Sequence, residues 1–169
     1  MNSSEIEYEN SLTYDELCEH LQDKYGIPQD SYFSEDYKYK SADIKRTGEG
    51  LEIHHIDEIY DGCSNLSNVP QNSTFDSQKP DRLCYCNLLE HLILHIKINL
   101  ERAISYNTIV YDGAVVITRR LDNLFESTKP FTQLDKNMFE PIKNNYSDYI
   151  KITNAWAKTL KQIKRQTMN

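Results

Sequence analysis

Three stretches in the middle of the chain decide its fold: LEIHHI at residues 51–56, RLCYC at 82–86 and NLLEHLILHIKINLERAI at 87–104. The first predicts a short strand and the second predicts another. In the third, apolar residues recur at the spacing of a helix that buries one face. Asn87, followed three residues later by Glu90, has the pattern of a capping box, so this helix is expected to begin at residue 87. The predicted fold class is therefore α+β.

Further elements are expected on both sides of this centre. Thr13 and Glu16 form a second capping-box pattern, which predicts a helix from Thr13 to Tyr25. Residues 29–48 are polar and tyrosine-rich, without a clear period, and predict an irregular connection. Asp112-Gly113 within VYDGAVVITRRL (110–121) predicts a strand pair or a bulged strand. A last helix is predicted from about Tyr146 to Gln166.

The length of 169 residues suits one domain that can bury a core without disulfides. We divide it into a helical N-terminal extension (1–45), a central core (46–104) and a C-terminal extension (105–169). No segment has the apolar length of a membrane span, and the acidic start is unlike a signal peptide, so a cytoplasmic protein is expected.

Charge is distributed unevenly along the chain. The net charge is −7; residues 1–62 carry 16 acidic and 5 basic side chains, whereas residues 143–169 carry 1 acidic and 6 basic ones. This balance argues against a basic nucleic-acid coat protein. The acidic N-terminal part suits a basic protein partner, and the basic end either attracts phosphate or is the solvated face of the last helix.

The spacing of four histidines indicates a metal site. His91 and His95 are four residues apart on the predicted helix, so their imidazoles lie on one face, as two ligands of one ion require. His54 and His55 are adjacent on a strand and therefore point to opposite sides. Glu52 shares the face of His54 and is placed to orient a histidine. Cys84 and Cys86 lie on one strand face and are expected to be small buried hydrophobes, with metal ligation as the alternative.

This order of strand with His-His, loop, strand and capped helix with two histidines resembles the HNH, or ββα-metal (His-Me finger), endonuclease superfamily. The two-histidine helix is similar to that of nuclease colicins, and the surrounding sequence is similar to small HNH proteins of phages and Gram-positive bacteria. The resemblance covers residues 46–104 and implies a central ββα-metal module flanked by N- and C-terminal helices. It further implies the cytoplasm of a bacterium or a phage-infected host cell.

The resemblance implies a role for each site residue. One divalent cation (Mg²⁺, Mn²⁺, Ni²⁺ or Zn²⁺) would be bound by His54, His91 and His95. His55 would be the general base of phosphodiester hydrolysis, with Glu52 in the catalytic site, and the products would be a 5′ phosphate and a 3′ hydroxyl. The usual position of the family's middle asparagine falls on Arg82; of three asparagine candidates near it, Asn87 is better explained as the helix cap, and Asn65 and Asn68 lie in the loop, which they could help to hold. Three basic residues are candidate substrate contacts: Arg46, Arg82 and Lys97.

The sequence thus predicts a metal-dependent endonuclease acting on DNA, with RNA as the alternative substrate. A homodimer would let two sites act on two strands. The competing hypothesis is a non-catalytic HNH-like metal-binding scaffold of a phage or mobile element, which binds or inhibits a protein through the acidic N-terminal surface. A third hypothesis is a plain α+β domain whose histidines are structural.

Overall fold

The structure, a computed structural model, describes residues 1–60, 74–106, 112–128 and 130–167. Within these ranges the chain is a mixed α+β protein, mostly helical, with one two-stranded antiparallel sheet. None of the helices in these ranges combines the length and the apolar character needed to cross a membrane. The described residues form six α-helices: α1 (Ser3–Ser11), α2 (Tyr14–Tyr25), α3 (Leu88–Tyr106), α4 (Asp112–Glu126), α5 (Gln133–Phe139) and α6 (Tyr146–Thr167).

The sheet is formed by the two predicted strands, β1 (Glu52–His55) and β2 (Leu83–Cys86). They pair in antiparallel register, with His54 opposite Cys84 and His55 opposite Leu83. A short 3₁₀ turn, Ile56–Ile59, follows β1 directly, and another, Pro80–Arg82, leads into β2. The long loop predicted between the strands falls largely on residues 61–73, which lie outside the described residues.

A single residue, Asn87, separates β2 from helix α3, and it caps the helix as predicted. The Asn87 side chain accepts hydrogen bonds from the backbone N–H groups of Leu89 and Glu90, at 2.9 and 3.1 Å. In return the Glu90 carboxylate accepts from the Asn87 backbone N–H at 2.7 Å. This reciprocal pair satisfies donors that a buried helix start would otherwise leave unpaired.

The core is built around α3, which packs against α1, α2, α4 and α6. Leu89, Leu92 and Ile93 are fully buried at its centre. The polar side chain of Asn99 is also buried there, and it accepts a hydrogen bond from the indole N–H of Trp156 on α6 at 3.0 Å. The buried side chains of Leu89, Leu92 and Ile93 hold the first half of α3 in the core, and this sets the direction of the histidines that it carries.

Helices α2 and α6 begin at the predicted positions. Thr13 and Glu16 form the expected capping box at the start of α2, and α6 extends over Tyr146–Thr167. Residues 29–48 contain an isolated bridge between Phe33 and Lys40 but no strand or α-helix, as predicted.

The prediction of strands in 110–121 is wrong for the described part of that stretch. Residues from Asp112 onward form helix α4, whereas 110 and 111 lie outside the described residues. The β-branched run Val115–Thr118 and the Asp-Gly pair favour a strand and a turn by local propensity alone. However, Ala114, Ile117, Leu121 and Leu124 recur at helical spacing, and all four are buried on one face of α4.

Candidate metal centre

The centre of the molecule contains three imidazoles contributed by two elements, β1 and α3. One ring nitrogen each from His54, His91 and His95 lies within 4.8 Å of the other two. The ring centroids are 4.9 Å apart for the helical pair and 5.2–5.4 Å from each of these to His54. The structure therefore brings together the three residues that the sequence predicts as ligands.

Tyr14 on α2 fixes the tautomer of His54. The Tyr14 hydroxyl donates its single proton to the Ile56 carbonyl at 2.8 Å, since a carbonyl oxygen can only accept. The same hydroxyl lies 2.8 Å from His54 Nε2, so it must accept a proton from that nitrogen. His54 Nδ1 is then left with a bare lone pair, and it is buried without a hydrogen-bond partner. A buried, unpaired acceptor nitrogen facing two imidazoles is what a metal ligand requires.

His91 is oriented by a carboxylate in the same way. His91 Nδ1 lies 3.0 Å from Glu52 Oε2, and Arg120 on α4 donates to both Glu52 oxygens, at 2.9 and 2.5 Å. Burial raises the pKa of Glu52, but the hydrogen bonds from His91 and Arg120 outweigh it and lower that pKa to about 2. Ionised Glu52 only accepts, so His91 Nδ1 donates to it, and Nε2 is the nitrogen that is left for a metal ion. Metal-binding histidines commonly have such carboxylate partners.

His95 is enclosed by the start of α4. Its Nδ1 edge lies against the backbone of Gly113, and its Nε2 atom lies 3.9 Å from Glu58 Oε1. Burial, aided by repulsion from His91, lowers the pKa of His95 to about 3, and burial lowers the pKa of His54 well below its usual value. Both rings are therefore neutral at pH 7, the form that binds metal.

Chemically, the donor set fits a divalent cation. Three converging imidazoles, two of them oriented by Tyr14 and Glu52, suit Zn²⁺, Ni²⁺ and related ions. Within the described residues, Cys84 and Cys86 belong to no metal-ligand cluster; both thiols are free and fully buried, as the first interpretation of their spacing predicts.

His55, the predicted general base, lies on the other face of β1. Its Nε2 is 3.0 Å from Gln78 Oε1, and its ring packs against Tyr32 with the centroids 4.4 Å apart. Only 1% of the residue is exposed, and its Nδ1 is buried without a partner. Burial lowers the pKa of His55 to about 4, although the Gln78 contact raises it slightly. The structure therefore does not bring His55 into the three-histidine cluster.

The three predicted substrate contacts occupy different places. Arg46 lines the cavity beside the histidines, with its guanidinium paired to Glu49. Arg82 forms an ion pair with Asp57, and Lys97 donates to the carbonyls of Asn10 and Leu12 at the junction of α1 and α2. Neither Arg82 nor Lys97 is among the residues that line this cavity.

The cavity beside the cluster has a volume of about 670 Å³. His91 and His95 form part of its wall, together with two carboxylates, Glu52 and Glu58. Its other charged lining residues are all basic: Lys40, Lys45, Arg46 and Arg120. A ligand with negative charge therefore meets both the cluster and several cations in the same space.

Four residues that surround the histidines were not predicted to belong to the site: Tyr14, Glu58, Gly113 and Arg120. For Glu58 a signal exists, since it follows His54 by four residues. Gly113 and Arg120 were hidden by the wrong strand assignment. Of the three asparagine candidates, Asn87 is the helix cap, whereas Asn65 and Asn68 lie outside the described residues.

Comparison with known proteins adds no assignment, because no protein-family model, curated protein or solved structure matches this chain.

Proposed function

We propose that this protein is a metal-dependent endonuclease of the ββα-metal type that hydrolyses phosphodiester bonds of DNA. One observation carries the proposal: three imidazoles, one with a bare and buried Nδ1, converge beside a cavity whose wall carries four basic side chains and two carboxylates. The order of the two strands and α3, with one ligand from β1 and two from α3, agrees with the resemblance noted in the sequence.

In this proposal some residues bind the cation and others orient the residues that bind it. His54, His91 and His95 would hold the cation, while Tyr14 and Glu52 fix the protonated nitrogens of His54 and His91 so that their lone pairs face inward. Arg120 keeps Glu52 ionised and in place. A bound divalent cation would supply Lewis acidity toward a phosphate oxygen and offset the charge of the leaving group.

Substrate binding is assigned to the cavity. Lys45 is exposed at its wall and suits a phosphate oxygen, and Arg46 and Arg120, which pair with Glu49 and Glu52, also line it. These cations lie next to an otherwise acidic chain, so they favour local capture of a backbone phosphate. Their chemistry recognises phosphate in either nucleic acid, and RNA is the alternative substrate.

A second candidate function, a non-catalytic metal-binding scaffold, is favoured by the burial of His55. A general base must reach the attacking water. His55 is 1% exposed and hydrogen-bonded to Gln78 on the far side of β1. Under this alternative the metal stabilises the fold, and the acidic N-terminal surface binds a basic protein.

The experiment is plasmid nicking by the purified chain in EDTA and with Mg²⁺, Mn²⁺, Ni²⁺ or Zn²⁺. His91→Ala tests the metal centre, His55→Ala tests the base, and His20→Ala is the control, since it removes the one histidine outside both groups. The proposal predicts metal-dependent nicking that is lost in His91→Ala and kept in His20→Ala; loss in His55→Ala with the fold intact would show that His55 is the base, and retained nicking would show that it is not. Metal-induced stabilisation without cleavage of DNA or RNA would contradict it and support the scaffold.

A further inference from the structure

Glu58 lies in the 3₁₀ turn that directly follows β1. The turn is anchored from α3, because Arg102 donates to the backbone carbonyls of Glu58 and Ile59, at 2.5 and 3.2 Å. With its backbone held there, the side chain of Glu58 is directed toward the histidines. It is mostly buried, with 19% of the side chain exposed.

The Glu58 carboxylate lies between two of the imidazoles. Oε2 is 3.9 Å from His54 Nδ1, the buried nitrogen that has no hydrogen-bond partner, and Oε1 is 3.9 Å from His95 Nε2. Two ligands bound about 2.1 Å from one ion at tetrahedral angles lie about 3.4 Å apart. These two separations exceed that value by about 0.5 Å, so the carboxylate would become a ligand by moving toward the cluster.

The surroundings leave the carboxylate available for this role. In the part of the chain that the structure describes, no N–H or O–H group donates a hydrogen bond to it. Burial raises the pKa of Glu58, although His91 and Arg102 act in the opposite direction. A largely buried carboxylate without donors is costly unless a cation compensates its charge.

We propose that Glu58 is the fourth protein ligand of the metal centre, which makes the set three imidazoles and one carboxylate. This inference rests on the proposed metal-binding function and adds to it. His54 and His91 are locked by Tyr14 and Glu52, whereas Glu58 borders the cavity without a comparable partner. Glu58 is therefore the ligand that exchanges with an incoming phosphate oxygen. An anionic oxygen ligand also makes the site accept harder ions than imidazoles alone do.

The test is Zn²⁺ and Mn²⁺ binding by calorimetric titration of the full chain. Glu58→Gln removes the negative charge and keeps the shape, and Asp57→Asn is the matched control. Asp57 is the preceding residue of the same turn and pairs with Arg82 instead. We expect Glu58→Gln to weaken Zn²⁺ binding at least ten-fold and Mn²⁺ binding more, and Asp57→Asn to change either by less than two-fold.

The possible failures are distinguishable. If the wild-type chain binds neither ion, the proposed function and this inference both fail. If the wild type binds and Glu58→Gln binds equally well, or if the two variants weaken binding equally, only the ligand role of Glu58 is overturned. Should Glu58→Gln not fold, Glu58→Asp keeps the charge but retracts the carboxylate, and it is expected to lose affinity as well. Unchanged affinity in that variant would overturn the inference.

Discussion

Among single residues, Gly113 matters to the three-histidine cluster because it has no side chain. A Cβ atom on Gly113 would lie 2.1 Å from His95 Nδ1 and 2.3 Å from its Cε1. The φ angle of Gly113 is not in the left-handed region, so glycine is required by space alone. The start of α4 can approach the cluster this closely only with glycine at that position.

Gly113→Ala is therefore expected to displace the His95 ring and weaken Zn²⁺ binding at least ten-fold. Alanine in a helix normally adds up to about 1 kcal/mol of stability over glycine, but the overlap should reverse the sign to a loss of about 1–3 kcal/mol. Urea unfolding and metal titration measure the two effects. In the control, Gly48→Ala, the new Cβ has no atom within 4 Å. A Gly113→Ala protein as stable and as tight-binding as wild type would contradict the packing argument.

Arg120 acts on the centre through Glu52 and is a positioning residue. Arg120→Gln removes the bidentate partner of Glu52, so His91 loses its fixed orientation. Loss of such outer contacts typically costs 10–100-fold in metal affinity, and we expect that range here. Arg119→Gln is the matched control, since it removes the same charge from the preceding residue of α4, which is exposed. Equal effects of both variants would indicate a general charge effect and argue against positioning.

At the scale of elements, the alternation of β1 separates two sets of contacts. Glu52 and His54 face the metal cluster, while His55 faces Gln78 and Tyr32. Helix α3 supplies the other half of the cluster and depends on its buried cap. Strand direction and helix start are thus the two local features that set the histidine geometry.

The caps of α2 and α3 allow a direct comparison. Asn87 is fully buried, whereas Thr13 at the start of α2 is exposed. Replacing an N-cap by alanine costs about 0.5–2 kcal/mol, and a buried donor left unpaired adds to that cost. We therefore expect Asn87→Ala to lose more stability in urea unfolding than Thr13→Ala does. The reverse order would show that the buried cap does not control α3.

The burial of His55 predicts a pH effect on stability. Its pKa falls from about 6.5 in the unfolded chain to about 4 in the folded protein. Between pH 4 and pH 6.5 His55 binds a proton in the unfolded chain but not in the folded protein. Its contribution to the free energy of unfolding is therefore complete above pH 6.5 and is lost as the pH falls toward 4. His55→Gln does not titrate. As the pH is lowered from 7 to 4.5 in EDTA, we therefore expect the free energy of unfolding to fall by about 2 kcal/mol more in wild type than in His55→Gln.

Urea unfolding of both proteins across this range measures the difference, and the comparison cancels the titration of groups that the two proteins share. A difference that stays constant with pH would contradict the account of His55 as a buried neutral imidazole.

At the scale of the whole molecule, the sequence was sufficient where a feature is local. The two strands, the capped helix α3 and the shared face of His91 and His95 follow from alternation, capping and four-residue spacing, whereas the choice of His54 over His55 came from the family resemblance. These signals depend on neighbours in the chain. They can therefore be interpreted without the tertiary contacts of the same residues.

Features set by distant contacts could not be predicted in this way. Helix α4 has a strand-like composition that its packing against α3 overrides, and Arg120 reaches Glu52 across 68 positions of the chain. The burial of His55 depends on Tyr32 and Gln78, which come from segments that the sequence described only as irregular. No periodicity encodes such contacts.

We propose that His54, His91 and His95 bind one divalent cation, and native mass spectrometry of the Zn²⁺-loaded chain tests this claim. We expect one tightly held ion per wild-type chain and none in the His54→Ala, His91→Ala or His95→Ala chains, with one retained in His20→Ala. A wild-type chain that holds no ion, or three single variants that each keep it, would contradict the claim.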